Sequence, residues 1–312
     1  MSNVIELSAA LNAELSREPE RIKPTPLELG PGIYYDVPEE QYHADPCARP
    51  SLSVSIAKAL VLRSPLHAWL QHPRFGAVHT DASNTMDRGS VVHSLLLGRG
   101  RDVVVVECDD WKSPKKRAER DAHRSKGRIA VTRKLYGEAI ETANVLRAKL
   151  AERGYHLRGK SEVTIIWEEQ AESGRSVLCR GRLDHWEILH LLDLKITEDA
   201  NPLTLQRGHI TRMGYDIQRA AYTSGVEKLR PDLLGRTDFT FLFCEPEPPN
   251  CITPVRCAGT LRELGELKWR RAVNMWDRCL AANKWPEYTE DTVFAEAKPW
   301  ELEQEDAADE NV

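Results

Sequence analysis

What this 312-residue sequence lacks narrows what it does. No stretch approaches the roughly 18 consecutive uncharged apolar residues of a membrane-crossing helix, so no span is expected. Positive charge is not in excess: 43 Lys and Arg face 48 Asp and Glu, a formal net charge of −5. A protein that wraps nucleic acid without a localised track is basic overall, so a histone-like wrapper is excluded. The seven cysteines are odd in number and contain no CxxC pair, which points to reduced thiols in a cytoplasm. No GxxxxGK[ST] stretch occurs, so no ATP-driven motor is built in. The N-terminal residues carry charges throughout and no apolar core, which predicts no signal peptide. What is present, 41% hydrophobic and 29% charged residues, is enough for a sizeable soluble core. The length fits two domains or one enlarged α/β domain.

Residues 1–32 read as a lead-in: a short amphipathic helix (Ile5, Leu7, Leu11, Leu15), then the proline-bearing KPTPLELGPG. Organised structure is predicted over 33–300, with a basic insertion at 112–134, followed by an acidic tail at 301–312. Helical spacing marks SLSVSIAKALVLRSPLHAWL, broken at Ser64-Pro65, and residues 88–97, 135–152, 212–229 and 261–283. VVVVE at 103–107 reads as the most evident buried strand. Strands are also predicted at 162–168, 176–186, 188–195, 239–245 and 252–256, with reversals at Gly174 and around Glu187. This order is a mixed α/β layout, not a regularly alternating one.

The sharpest local pattern is GRLDHWEILHLLDLK. Asp184 ends one strand; the next carries Asp193 and Lys195, which two-residue periodicity places on one face. A reversal near 187–189 is expected to return the chain so that Asp184 lies beside Asp193. Two converging carboxylates raise each other's pKa, and a hard divalent cation such as Mg²⁺ or Mn²⁺ removes the conflict. Lys195 then supplies a cation to orient water or stabilise a developing phosphorane. The plainer reading is a surface Asp–Lys ion pair. Against it, Asp193 sits within the apolar run ILHLLDLKI, where an incidental carboxylate is costly to bury.

D-x(n)-(D/E)-x-K on a strand pair resembles the signature of PD-(D/E)xK nucleases. Eight segments further resemble the RecE (exonuclease VIII)-like group, related to the RecB nuclease domain: GIYYDVPEEQYHAD, GSVVHSLLLG, KSEVTIIW, CRGRLD, LLDLK, YDIQRAAY, FLFCEPEPP and WPEYTED. They run in order over nearly the whole chain. Leu183 replaces the usual proline before the aspartate, and Ile196 the usual threonine after the lysine; neither change removes a ligand. The resemblance implies a restriction-endonuclease-like α/β core with a central mixed sheet flanked by helices. It implies metal held by His93, Asp184, Asp193 and the Leu194 carbonyl, with Lys195 orienting the attacking water. His93 completes the G-x-x-x-H spacing from Gly89; on its own it would read as a core histidine. Gln218 and Tyr222, four apart on a helix, fit the Q-x-x-x-Y motif associated with DNA contact and active-site support. Glu162 opens the preceding strand and is expected to assist through a bound water.

Between Lys112 and Lys134 ten Lys or Arg face only Glu119 and Asp121. Such a run is ordinarily a solvated surface, but its concentration makes Lys115, Lys116 and Arg117 candidates for phosphate contact. Cys244, Cys251 and Cys257, with Cys47 upstream, do not match the compact cysteine spacing of iron–sulfur relatives, so no cluster is expected. The resulting expectation is an Mg²⁺-dependent exonuclease that resects linear duplex DNA 5′ to 3′, of phage or prophage type. Its expected partners are DNA ends, a single-strand annealing protein and further copies of itself in a ring. The competing readings are an endonuclease or structure-specific nuclease on the same fold, and a DNA-binding recombination protein with a vestigial site. The intact D…DxK set argues against the last.

Overall fold

The computed structural model describes residues 28–76 and 84–309. The lead-in helix expected around Ile5–Leu15 and the end of the acidic tail lie outside the described residues. The helices are α1 (Glu39–His43), α2 (Val54–Leu62), α3 (Pro65–Gln71), α4 (Asn84–Leu97), α5 (Pro114–Arg124), α6 (Arg133–Glu152), α7 (Tyr215–Leu229), α8 (Gly259–Ala282) and α9 (Pro299–Asp309). A kinked helical stretch at 202–212 precedes α7. The strands are β1 (Gly32–Tyr34), β2 (Leu52–Ser53), β3 (Val103–Val106), β4 (Ile129–Thr132), β5 (Lys160–Gln170), β6 (Ser176–Glu187), β7 (His190–Ile196), β8 (Asp238–Cys244) and β9 (Ile252–Val255). None of the described helices is long and apolar enough to cross a membrane.

Local signals set these boundaries. The Ser53 and Ser64 side chains accept from the N–H groups of Ile56 and His67, capping α2 and α3, and Pro65 opens α3 where its missing N–H costs nothing. Thr132 caps α6 in the same way. Gly174, at φ 82°, turns β5 into β6, and Ile188, at φ 42°, turns β6 into β7. The structure agrees with the expected mixed α/β core. One sheet runs β1–β5–β6–β7–β8–β9, with β2 on the edge of β6. The β7–β8 and β2–β6 pairs are parallel and the other neighbours antiparallel.

Helices cover both faces. On β7 and β8 the side chains alternate: Leu191, Phe239, Phe241 and Phe243 join the cluster with α2, α7 and α8. Leu192, Leu194, Leu242 and Cys244 join the cluster with α4 and α6. Fully burying a side chain of this size stabilises by about 1.5–3 kcal/mol, so this alternation fixes the strand register. The VVVV run departs from expectation. It forms β3, parallel to β4 in a separate two-stranded sheet, and only Val106 is fully buried. An apolar run marks strand propensity but does not say which sheet takes it.

A buried ion cluster ties the N-terminal segment to β6. Asp45, 2% exposed, accepts from the Ser51 N–H and hydroxyl and pairs with Arg180 at 2.9 Å and Arg74 at 3.1 Å. At Gly181 the sheet meets α7 closely: an added Cβ would lie 2.6 Å from Cε1 of Tyr222. Gly181→Ala is therefore expected to cost about 1–3 kcal/mol by overpacking. In urea unfolding the midpoint should fall with an unchanged slope; an unchanged midpoint would show that α7 is free to retreat.

Candidate active site

The site forms where β6 and β7 part. The two strands pair only over His185–Glu187 and His190–Leu192, and β2 takes the edge of β6 further back, at Cys179 and Arg180. Just past the last pair, the Leu194 N–H donates to Asp184 Oδ2 at 2.8 Å. A carboxylate thus stands where a strand carbonyl would continue the ladder, and the fork becomes a place for charged groups.

Asp184 faces α4. Gly89 lies beside the end of β7, where an added Cβ would come 3.6 Å from the Ile196 side chain, and His93, one turn on, brings Nε2 to 3.2 Å from Asp184 Oδ2. Across the β5–β6 pair, Ser161 meets His185 and Val163 meets Leu183, so Glu162 lies opposite Asp184. Glu162 has φ 55°, a left-handed conformation costing of order 1–3 kcal/mol in a non-glycine residue. One ligand atom each from His93, Glu162 and Asp184 lie within 4.8 Å of one another. An imidazole nitrogen and two carboxylates on one wall are a set suited to a divalent cation.

Asp193 is not in that set. Its neighbours Leu192 and Leu194 pack toward α4, so Asp193 and Lys195 face α7. There Lys195 pairs with Asp193 Oδ1, and the Gln218 side-chain amide donates to Oδ2. The sequence-expected residues therefore fall into two adjoining groups. His93, Glu162 and Asp184 lie on one face of the fork; Asp193, Lys195 and Gln218 lie on the other. Leu194 joins them through its backbone N–H. Glu162, expected only to assist through water, stands in the same group as His93 and Asp184, close enough to share a cation with them.

The charges follow from this crowding. Burial and the neighbouring Asp184 push Glu162 up to about 7, against the pull of His93 and Arg182. Burial also works against ionised Asp184, but His93, Lys195 and the Leu194 N–H outweigh it and hold its carboxyl below the ordinary range. Burial disfavours protonated His93, yet Asp184 and Glu162 raise it above its usual value. Asp193 is raised to about 6 by burial and Asp184, despite Lys195. Lys195 is held well above the ordinary lysine range: Asp193 and Asp184 overcome its burial.

The His93–Glu162–Asp184 group opens into a cavity of about 1010 Å³, also lined by Tyr222, Arg88, Arg101 and Arg182. The Tyr222 ring lies over Gly181, where a side chain would leave it no room. Lys115, Lys116 and Arg117 do not line this cavity. They lie on α5, between β3 and β4, where Lys116 pairs with Glu119 at 2.9 Å and Arg117 donates to the Trp111 and Lys112 carbonyls. The basic run is also not one surface, since its Ile129–Thr132 segment is the buried β4. Two site residues escaped the sequence reading. Arg182 lies 3.7 Å from Glu162 and stacks on Tyr42, and Lys58 reaches Gln218 from α2. The signal for Lys58 was present: a lysine among Ile56, Ala57, Ala59 and Leu60, all buried.

Residues 53–297 match a protein family described as a PDDEXK-like domain of unknown function, DUF3799. No curated protein sequence matches. Among solved structures, a protein from Eubacterium rectale described as a "putative exonuclease" aligns with 86% of this chain and 98% of its own, at TM-score 0.54 and 13% identity. That likeness bears on the fold. The protein SSO0001 aligns with 57% of this chain and 82% of its own at 13% identity and TM-score 0.25, too low for any structural argument. With a family match over most of its length and the D…DxK residues at the fork of its sheet, the chain belongs to the PDDEXK-like family.

Proposed function

We propose that this chain is a divalent-metal-dependent DNA nuclease acting as an exonuclease on linear duplex DNA. The observation that carries the reading is the His93–Glu162–Asp184 group opening into the cavity, with Asp193 and Lys195 joined to it through Leu194. His93, Glu162 and Asp184 would hold the metal, with Mg²⁺ or Mn²⁺ suited to the carboxylates. When bound, such a cation neutralises phosphoryl oxygens and eases formation of hydroxide from water.

The chain's own residues divide the remaining work. Lys195, which keeps its proton through the neutral range, acts as a fixed positive charge toward the negative charge developing on phosphorus. Asp193, near 6 and outside the metal-holding group, is the group poised to accept a proton at neutrality, whereas Glu162, near 7 without metal, would give up its proton on binding one. The exonuclease reading, with 5′-to-3′ resection for annealing-type recombination, rests on the resemblance to RecE-like nucleases. Action from ends, an annealing partner and a ring of copies belong to the same reading.

Digestion of linear and covalently closed duplex tests it. With Mg²⁺ the linear form should be consumed while the circle persists, and chelation should stop the reaction. Nicking of the circle would favour the endonuclease reading; hydrolysis of neither, in Mg²⁺ or Mn²⁺, would favour a DNA-binding protein. Asp184→Ala should lower the rate by at least roughly 10²–10³-fold, the scale of losing one stabilising group at a reaction centre. Lys195→Met should lose turnover with little change in duplex affinity, because it acts on the transition state. A parallel loss of affinity would make Lys195 a phosphate clamp.

Metal binding should depend on pH with a definite sign. Glu162 is raised to about 7 and His93 is also raised, so protons compete with metal at both below neutrality. Affinity measured by calorimetry should therefore increase from pH 5.5 to 8. Glu162→Gln should bind metal more weakly and with a shallower pH dependence; an unchanged profile would remove Glu162 from the ligand set.

The basic helix is tested by salt. Replacing Lys115, Lys116 and Arg117 by Gln should weaken DNA binding and reduce the log–log salt slope by up to about 3, close to one unit per phosphate contact. An unchanged slope would make α5 a solvated face.

A further inference from the structure

Lys58 belongs to none of the motifs that define the fork, yet α2 delivers its ammonium into the buried group behind Asp193. Nζ lies 2.9 Å from Gln218 Oε1 and 4.8 Å from the centre of the Tyr215 ring. Lys195 Nζ lies over the same ring at 5.3 Å. Its stem is held as closely as its head. Gly214, at φ 65°, starts α7, and a Cβ there would lie 2.9 Å from Lys58 Cγ. A side chain at the α7 start would be strained by its backbone conformation and would crowd the passage of this lysine.

A side-chain amide can face either way, and Gln218 touches both Lys58 and Asp193. An ammonium only donates, so it requires the amide oxygen on its side. The amide NH₂ is then turned to Asp193, which accepts it on Oδ2 while Oδ1 receives Lys195. The Asp193 carboxylate asks for the same orientation from the other side, so the amide is tied at both ends; without the ammonium its oxygen end is left free and only the bond to Asp193 restrains it. Both ammonium groups lie against the same Tyr215 ring, so Lys58 is held near Lys195 in a largely buried place despite their like charge. We propose that Lys58 is a positioning residue of the active site: it anchors the oxygen end of the Gln218 amide and so immobilises the amide against the Asp193 carboxylate, steadying that carboxylate in its pairing with Lys195. This role rests on the nuclease reading for its consequence in turnover, but not for the contact itself.

The experiment uses the full chain with Lys58→Met, which keeps the unbranched stem, and Lys58→Arg, which restores a cation able only to donate. Two readouts are taken. The first is the side-chain NH₂ of Gln218, assigned by its loss in Gln218→Glu and followed by NMR hydrogen exchange. In wild type it should exchange slowly; in Lys58→Met it should exchange at least several-fold faster, and Lys58→Arg should recover much of the protection. The second is turnover on linear duplex with Mg²⁺. Lys58→Met should lower kcat roughly 10–100-fold, the usual cost of losing a group that supports a ligand or catalytic side chain. KM for DNA should change little, and Lys58→Arg should recover part of kcat. Unchanged exchange in a folded Lys58→Met protein would overturn the proposal. So would a rise in KM at constant kcat, which would make Lys58 a DNA contact. If Lys58→Met does not fold, Lys58→Arg decides: slow NH₂ exchange with kcat retained supports the proposal, and fast exchange overturns it. The exchange readout needs no hydrolysis, so an inactive wild-type protein would defeat the nuclease reading and leave the Lys58 contact separately decided.

Discussion

The hydrogen bond from the Leu194 N–H to the Asp184 carboxylate organises the rest of the site. A β-strand that leaves its neighbour exposes N–H and C=O groups that must find partners. Here the departing strand β7 finds a side-chain acceptor on β6 for its Leu194 N–H. The same carboxylate receives His93 from α4. One group therefore ends the pairing and fixes a helix against the fork. It also draws Asp193 and Lys195 close to the metal-ligand set, although they project from the opposite face.

The contrast between two carboxylates on β5, the buried Glu169 and the half-buried Glu162, distinguishes support from chemistry. Glu169 accepts from the indole N–H groups of Trp167 and Trp269 and from the Ser224 hydroxyl, and pairs with Lys228 at 2.9 Å. Burial works against its charge, but these partners hold it below the ordinary glutamate range. Glu162, seven residues earlier, has Arg182 at 3.7 Å and a carboxylate opposite. Its charge is left without adequate compensation, and its pKa rises to about 7. A fold that can satisfy one buried glutamate so fully has no structural need to leave another so exposed to repulsion. A cation resolves the second case, and the left-handed backbone at Glu162 fits a residue held for that purpose.

Period-two alternation made Asp193 and Lys195 readable as one face, and the apolar run around them made burial readable too. The G-x-x-x-H spacing pointed to His93, although only the resemblance gave the spacing meaning. Glu162 was under-read because its role depends on the β5–β6 register, which puts it opposite Asp184; sequence gives strands but not their partners. The side of the sheet taken by each aspartate was hidden for the same reason: the fork after Leu192 lets Asp184 and Asp193 be neighbours without sharing a face. The valine run and the basic run failed in complementary ways. β3 looked like a core strand and joined a small outer sheet, whereas the basic run looked like one surface and contains the buried β4. In both, residue type reported a propensity while tertiary pairing decided exposure.

Under the proposed function, a chain of net charge −5 must admit a polyanion, and the cavity suggests how. Its arginines are already partnered: Arg88 with Glu247, Arg101 with Glu39 at 2.9 Å, and Arg182 with the Val37 carbonyl and, more distantly, Glu162. Partly exposed pairs of this kind are worth only about 0–1 kcal/mol each. Exchanging an exposed glutamate such as Glu247 for a phosphate oxygen therefore loses little, and a planar guanidinium can hold the incoming phosphate through two donors at once. The carboxylates also screen these cations from bulk solution, so attraction is felt at short range, inside the cavity, more than at a distance. Long-range capture then falls to surfaces such as α5. The division places nonspecific attraction and local alignment on different elements, and each can change without disturbing the fork where Asp184 holds the strands.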